Sequence, residues 1–100
     1  MHIKIKGKLL NLKKCESLFS QLIGLMFKFK LKEDGLFFVF GKEKIVFLHM
    51  FFVFFPIDVI CLDSNKNIVK IIKDVKPFTP LLKCYKCKYI IEVKSGLVRF

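Results

Sequence analysis

Cys84-Tyr85-Lys86-Cys87 is the spacing in this sequence that most suggests chemistry. Two thiols three residues apart can occupy two corners of a zinc tetrahedron or act as a redox dithiol. A structural zinc site wants four ligands, and there is no second such pair. His2, His49, Cys15 and Cys61 would have to converge on this one through the fold. The pair also precedes a strand, whereas thioredoxin-like dithiols open a helix. The preferred reading is two incidental thiols on a loop. If a metal is bound, Cys84 and Cys87 are its first ligands; no cofactor is implied.

His49 lies inside an apolar run. If Ile45–Phe52 and Ile57–Asp63 form a hairpin, Val59 and Cys61 lie across from it, and a Cys–His nucleophile pair becomes possible. No oxyanion donor or orienting group can be named beside it, so a core histidine bonded to backbone is preferred. Asp58 follows Pro56 at the end of that turn. Among Phe, Val and Ile it could serve as a base, or it could accept backbone N–H bonds and fix the turn; the structural role is favoured. His49 and Asp58 remain the candidate binding residues. Glu92 alternates with Tyr89 and Ile91 and is expected to pair with a lysine on a neighbouring strand, such as Lys70 or Lys73. The eight acids are scattered, and no Gly-rich phosphate loop, G-x-S-x-G elbow or H-E-x-x-H occurs.

The elements that would position these residues are mostly strands. His2–Lys6 alternates with period two, Gly7 interrupts it, and Lys8–Leu12 reads as a second strand. Over Lys14–Ile23 the period changes: Cys15, Leu18, Phe19 and Leu22 share one helical face, and Gly24 ends the helix. Phe27–Leu31 alternates again, and Glu33-Asp34-Gly35 is a turn. Leu36–Phe40, closed by Gly41, Ile45–Phe52, Ile57–Asp63 and Ile68–Val75 read as further strands, with Ser64-Asn65-Lys66-Asn67 as a turn. Pro77 and Pro80 bracket an irregular connection. Lys88–Val93 is a strand, Ser95-Gly96 a turn and Leu97–Phe100 a short last strand. The pattern predicts a mainly β (α+β) single domain over residues 1–100. Its small twisted antiparallel sheet closes to a barrel or sandwich, with one short helix.

Composition agrees with one domain: 100 residues, 54% apolar, 13 of them Phe. Some of that aromatic surface can be left over for a partner. The formal charge of +11 invites a nucleic-acid or acidic-membrane reading, but Arg99 is the only arginine. The planar fork that grips phosphate is therefore nearly absent, and a solubilising role for the lysines is preferred. Met1–Lys6 is a charged alternation, not a secretory h-region, so a cytoplasmic location with reduced thiols is expected. Ile45–Leu62 is 18 residues long and could be mistaken for a membrane span, but it contains His49, Pro56 and Asp58. An ionised Asp near a span's centre costs about 3 kcal/mol, and two buried strands explain the residues at less cost.

Five motifs in order resemble those of the domain of unknown function 192 family. They are Gly24-Leu25-Met26, Gly35-Leu36-Phe37-Phe38-Val39-Phe40, His49-Met50, Pro56-Ile57-Asp58, and Tyr89-Ile90-Ile91-Glu92 followed by Gly96. The resemblance spans about Lys14 to Gly96 and implies a compact β-rich domain with no established activity. The family's Trp-Met-x-Asn-Thr stands here as His49-Met50-Phe51-Phe52-Val53, so its polar Asn and Thr are replaced by Phe52 and Val53. The wording around His49 resembles an archaeal branch. The expected function is a small cytosolic non-catalytic binding or accessory module, its partner a protein or small ligand. A weak single-stranded nucleic-acid binder, with lysines beside Phe27, Phe29 or Tyr85, is one alternative. A metal or thiol site at Cys84/Cys87 or His49/Asp58 is the other.

Overall fold

Lys6 and Gly7 carry positive φ values of 51° and 81°. With Ile5 paired to Lys8, these two residues form a two-residue hairpin turn of the kind that matches strand twist. The turn joins β1 (His2–Ile5) to β2 (Lys8–Cys15). In a computed structural model of the chain, which describes residues 1–16, 33–48, 54–79 and 82–99, four more strands follow. They are β3 (Gly35–Leu48), β4 (Ile57–Leu62), β5 (Ile68–Val75) and β6 (Leu82–Lys94). All six form one sheet in the order β1-β2-β3-β6-β4-β5.

The four inner strands carry most of the core. Every residue of β4 is buried. Ile57, Val59 and Cys61 face one apolar cluster with Phe38, Phe40, Cys84, Cys87 and Ile90. Ile60 and Leu62 face a second, with Leu10, Leu12, Phe37, Ile91, Val93 and Val98. A strand covered on both sides reads as a continuous apolar run, which is why Ile57–Leu62 shows no polar alternation beyond Asp58. Gly35 is required where β3 meets β6, because a Cβ there would collide with the Glu92 carbonyl oxygen.

Two irregularities curl the sheet. Between the pairs Val39–Tyr89 and Lys44–Cys87, five steps along β3 match two along β6, so β3 bulges outward. Glu43, at that bulge, accepts bonds from the Ser64 N–H (3.1 Å) and hydroxyl (2.5 Å) and ties it to the β4–β5 turn. These bonds hold its carboxyl below the usual range. Between Ile45–Lys86 and Phe47–Lys83 the excess lies on β6. The first half of β6 thus bends toward β5, and the sheet becomes a half-barrel.

The mainly β, barrel-like architecture is as expected; several details differ. The sheet is mixed, because β2 and β3 pair in parallel, Leu12 beside Gly35 through Cys15 beside Phe38. Asp34 secures that start: its carboxylate accepts the Asn11 N–H at 2.7 Å and its own N–H donates to the Asn11 carbonyl at 2.7 Å. The helix expected over Lys14–Ile23 begins with two residues that belong to β2, and its residues from 17 onward lie outside the described residues, as does Phe27–Leu31. Gly41 does not end β3, which continues to Leu48. Leu97 and Val98 bend away after the Ser95-Gly96 turn and form no strand. The apolar stretch that begins at Ile45 divides into the end of β3 and β4. Among the described residues, no helix is long and apolar enough to cross a membrane.

Candidate functional site: a basic cleft over three thiols

The Cys84–Cys87 spacing lies inside β6, not on a loop before it. In a regular strand, residues three apart point to opposite faces. The extra residue in β6 between Lys83 and Lys86 cancels that alternation, so both thiols enter the same core. Cys61, near the end of β4, enters it too. It sits opposite Ile90 on β6 and Lys70 on β5. The bend of β6 brings Cys84 and Cys87 into the same buried cluster as Cys61. All three are at most 1% exposed. Cys15 shares the cluster but stands on β2, two strands beyond β6. The four cysteines are free thiols.

The three thiols are electrically unequal. Two S–H donors and the nearby Lys70 ammonium favour the Cys61 thiolate and lower its pKa against the opposing effect of burial. Cys84 and Cys87 are pushed up, first because ionising would forfeit the bond each donates to Cys61, then by burial. Cys61 is thus the thiol of the three that ionises first.

Above Cys84 opens a cavity of about 370 Å³ lined by Ile45, Lys70, Lys83, Cys84, Tyr85 and Lys86. Three of its six lining residues are lysines. Tyr85 is 58% exposed, and Phe47, paired with Lys83, is 56% exposed. Other lysines lie on rings: Lys44 on Phe40, Lys66 and Lys88 on Tyr89, and Lys94 on Phe55. Of the ring-rich segment, Phe54 meets Phe78 edge-on at 5.5 Å, and Phe55 packs on the core.

The remaining sequence candidates separate from this cleft. The hairpin that would set Cys61 and Val59 across from His49 does not form, because β4 is flanked by β5 and β6 and never meets β3; His49 itself lies outside the described residues. Asp58, at the opposite end of β4, is 1% exposed. Its oxygens accept the Asp74 N–H at 2.9 Å and the Gly96 N–H at 3.2 Å. Ser95 donates its hydroxyl to Asp74 and its N–H to the Pro56 carbonyl at 3.1 Å. Asp58 thus knots the start of β4, the end of β5 and the turn after β6. A cleft of about 380 Å³ adjoins it, lined in part by Lys73 and Arg99. Among the described residues, no three His, Cys, Asp or Glu side chains are arranged to hold a metal ion.

Glu92 departs most from expectation. Its cross-strand neighbours are Leu36 and Val59, not Lys70 or Lys73. It is 7% exposed, and burial raises its carboxyl to about 8. Alternation suggested a lysine partner on a neighbouring strand; what hid its burial was the apolar layer over that face. The joining of Cys61 to the pair was equally hidden, since the bulge that permits it leaves no mark in the local pattern.

A model of the domain of unknown function 192 (DUF192) family, described as Uncharacterized ACR, matches residues 1–99. The chain belongs to the DUF192 family. Among solved structures, it is similar to a Sinorhizobium meliloti protein described as a candidate transcription regulator. That match has 22% identity and a TM-score of 0.82, and covers 95% of this chain and 78% of the other. It is also similar to a Novosphingobium aromaticivorans protein of unknown function, with 16% identity and a TM-score of 0.77, covering 97% of this chain and 83% of the other. These likenesses establish a shared fold. No curated protein matches the chain.

Proposed function

We propose that this DUF192 chain is a small cytosolic binding module without catalysis, and that its ligand is a single-stranded nucleic acid laid across the cleft between β5 and β6. One observation carries the reading: Lys70, Lys83 and Lys86 converge on one cavity beside the exposed Tyr85 ring. Lysines track a phosphate backbone, and a free aromatic face stacks a base whatever its sequence. Phe47 and Ile45, exposed beside Lys83 and Lys86, extend the apolar part of the surface. The binding residues under this reading are Lys70, Lys83, Lys86 and Tyr85, whereas Asp58 is occupied in holding three strand ends.

Fluorescence anisotropy with a labelled oligothymidylate tests it. Three neutralised phosphates on a single strand give a log–log salt slope of about −2, so raising salt from about 50 to 200 mM should weaken binding roughly 20-fold. Tyr85→Ala should weaken it about fivefold or more. The combined Lys83→Glu, Lys86→Glu variant should abolish it. Binding indifferent to salt, or unchanged in both variants, rejects this function.

A further inference from the structure

We propose that the cleft at the start of β4 binds a free α-amino acid with a small aliphatic side chain, Arg99 taking its carboxylate and Asp74 its ammonium group. The inference goes beyond the nucleic-acid reading and does not depend on it, because that ligand lies toward the other end of β4.

Three elements build the site. Ile57 pairs with Val75 and Val59 with Ile72, so two steps along β4 match three along β5. Asp74 lies in that bulge and carries a φ of 54°, a left-handed conformation that Asp adopts more readily than most residues. A bulge re-aims the side chain it carries. Asp58 fixes it in place: one of its oxygens accepts the Asp74 N–H at 2.9 Å and the other the Gly96 N–H at 3.2 Å. The turn after β6 is thereby held against the bulge. Ser95, in that turn, donates its hydroxyl to one oxygen of Asp74. Val98 and Arg99 follow, and with Lys73 they complete the lining of the cleft of about 380 Å³.

The charges select the ligand. The lining holds two carboxylates, Asp58 and Asp74, and two cations, Lys73 and Arg99, on a chain of formal charge +11. A plain anion would meet lysines almost anywhere on such a surface; what sets this cleft apart is that it carries both signs. Asp58 is already committed to backbone N–H groups. Asp74 and Arg99 are different: among the described residues neither forms an ion pair, with the other or elsewhere, although both line one cavity. Opposite charges held apart in this way are bridged best by a ligand that carries both. The carboxylate of an amino acid matches the planar guanidinium fork of Arg99, the one arginine of the chain. Its ammonium group brings three donors, which the second oxygen of Asp74 and the lone pairs of Ser95 Oγ accept. Val98 gives a small aliphatic side chain its contact, and the volume lies at the lower end of the range for small-ligand sites.

Amide chemical shifts of the isotope-labelled full chain, titrated with L-valine at neutral pH, provide the test. Saturable shifts are expected at the amides of Lys73, Asp74, Ser95 and Gly96. N-acetyl-L-valine and L-valinamide each lack one of the two charges and should bind at least about tenfold more weakly. Arg99→Ala and Asp74→Asn should each weaken L-valine by about tenfold or more without altering the thermal melt. Asn keeps an oxygen for the Ser95 hydroxyl and tolerates the left-handed backbone, so Asp74→Asn reads the charge and not the fold. No nucleic acid is present, so the result stands apart from the oligothymidylate experiment. No saturable shift, shifts at the cleft between β5 and β6 instead, equal binding of either blocked derivative, or undiminished binding in either variant would each overturn the proposal.

Discussion

The two ends of β4 solve opposite problems. At its start, Asp58 is a buried charge with both oxygens committed to backbone N–H groups of Asp74 and Gly96. At its end, Cys61 is buried among two other thiols whose protons can be redistributed, beneath a cleft walled by Lys70, Lys83 and Lys86. The same strand, paired on both sides, therefore holds one fixed knot and one chemically adjustable corner. A buried acid marks function only when its hydrogen bonds leave something undone. Asp58 has been spent on architecture, whereas the thiols have been gathered with no structural demand that needs three of them.

The sharpest way to break this comparison is at the knot. Asp58→Ala removes two charge-assisted bonds and leaves backbone N–H groups without their acceptor, so it should lower unfolding stability by about 3–5 kcal/mol in urea titration. A loss below about 1 kcal/mol would mean that Asp58 is not architectural, and the adjoining cleft would become the better site.

Glu92, beside Val59 in mid-strand, comes next. Its folded pKa of about 8 lies above the ordinary carboxyl value of 4.5, so the folded chain holds a proton that the unfolded chain releases between those values. That contribution is complete below about pH 4.5 and is lost as the pH rises toward 8, at about 1.4 kcal/mol per unit. Glu92→Gln should flatten this slope and be the more stable form at pH 8, by an amount on the order of 3 kcal/mol. Denaturation midpoints compared at pH 5 and pH 8 measure it; parallel curves for the two proteins would contradict the buried, neutral acid.

At the thiol corner, Cys61→Ala should cost about 1–2 kcal/mol, the loss of a buried sulfur with only weak hydrogen bonds. It should also remove the acceptor whose bond holds Cys84 and Cys87 protonated, so both should react faster with maleimide than in Cys15→Ala. Equal rates would show that the three thiols act independently. Lys83→Glu and Lys86→Glu should change stability by no more than about 0.5 kcal/mol, as exposed residues do. A thermal melt distinguishes this from a larger effect, which would show that these lysines serve the fold and not a ligand.

Much of the architecture could be read from local pattern. The period-two alternation of β1, the break at Gly7, the turn over Ser64–Asn67 and the apolar run of β4 around Asp58 each follow from one short stretch of chain. Of these segments, the family resemblance used only the start of β4, in Pro56-Ile57-Asp58. Asp58 could be placed in a structural role, because an acid two residues after Pro56 in an apolar run must find backbone donors. The pairing of strands was another matter. Ile45–Phe52 and Ile57–Asp63 looked like hairpin partners because they are adjacent in sequence; adjacency is only a prior, and β6 displaced one from the other.

What the sequence by itself determined, then, is which segments extend, where they turn and that one domain of strands results, since side-chain period and φ preferences act over a few residues. Tertiary structure alone decided the parallel contact of β2 with β3, the burial of Glu92 and the meeting of Cys61 with Cys84 and Cys87. Each depends on which distant strand lies alongside and on a single extra residue in β6, and a one-residue shift in pairing reverses the face on which a side chain stands.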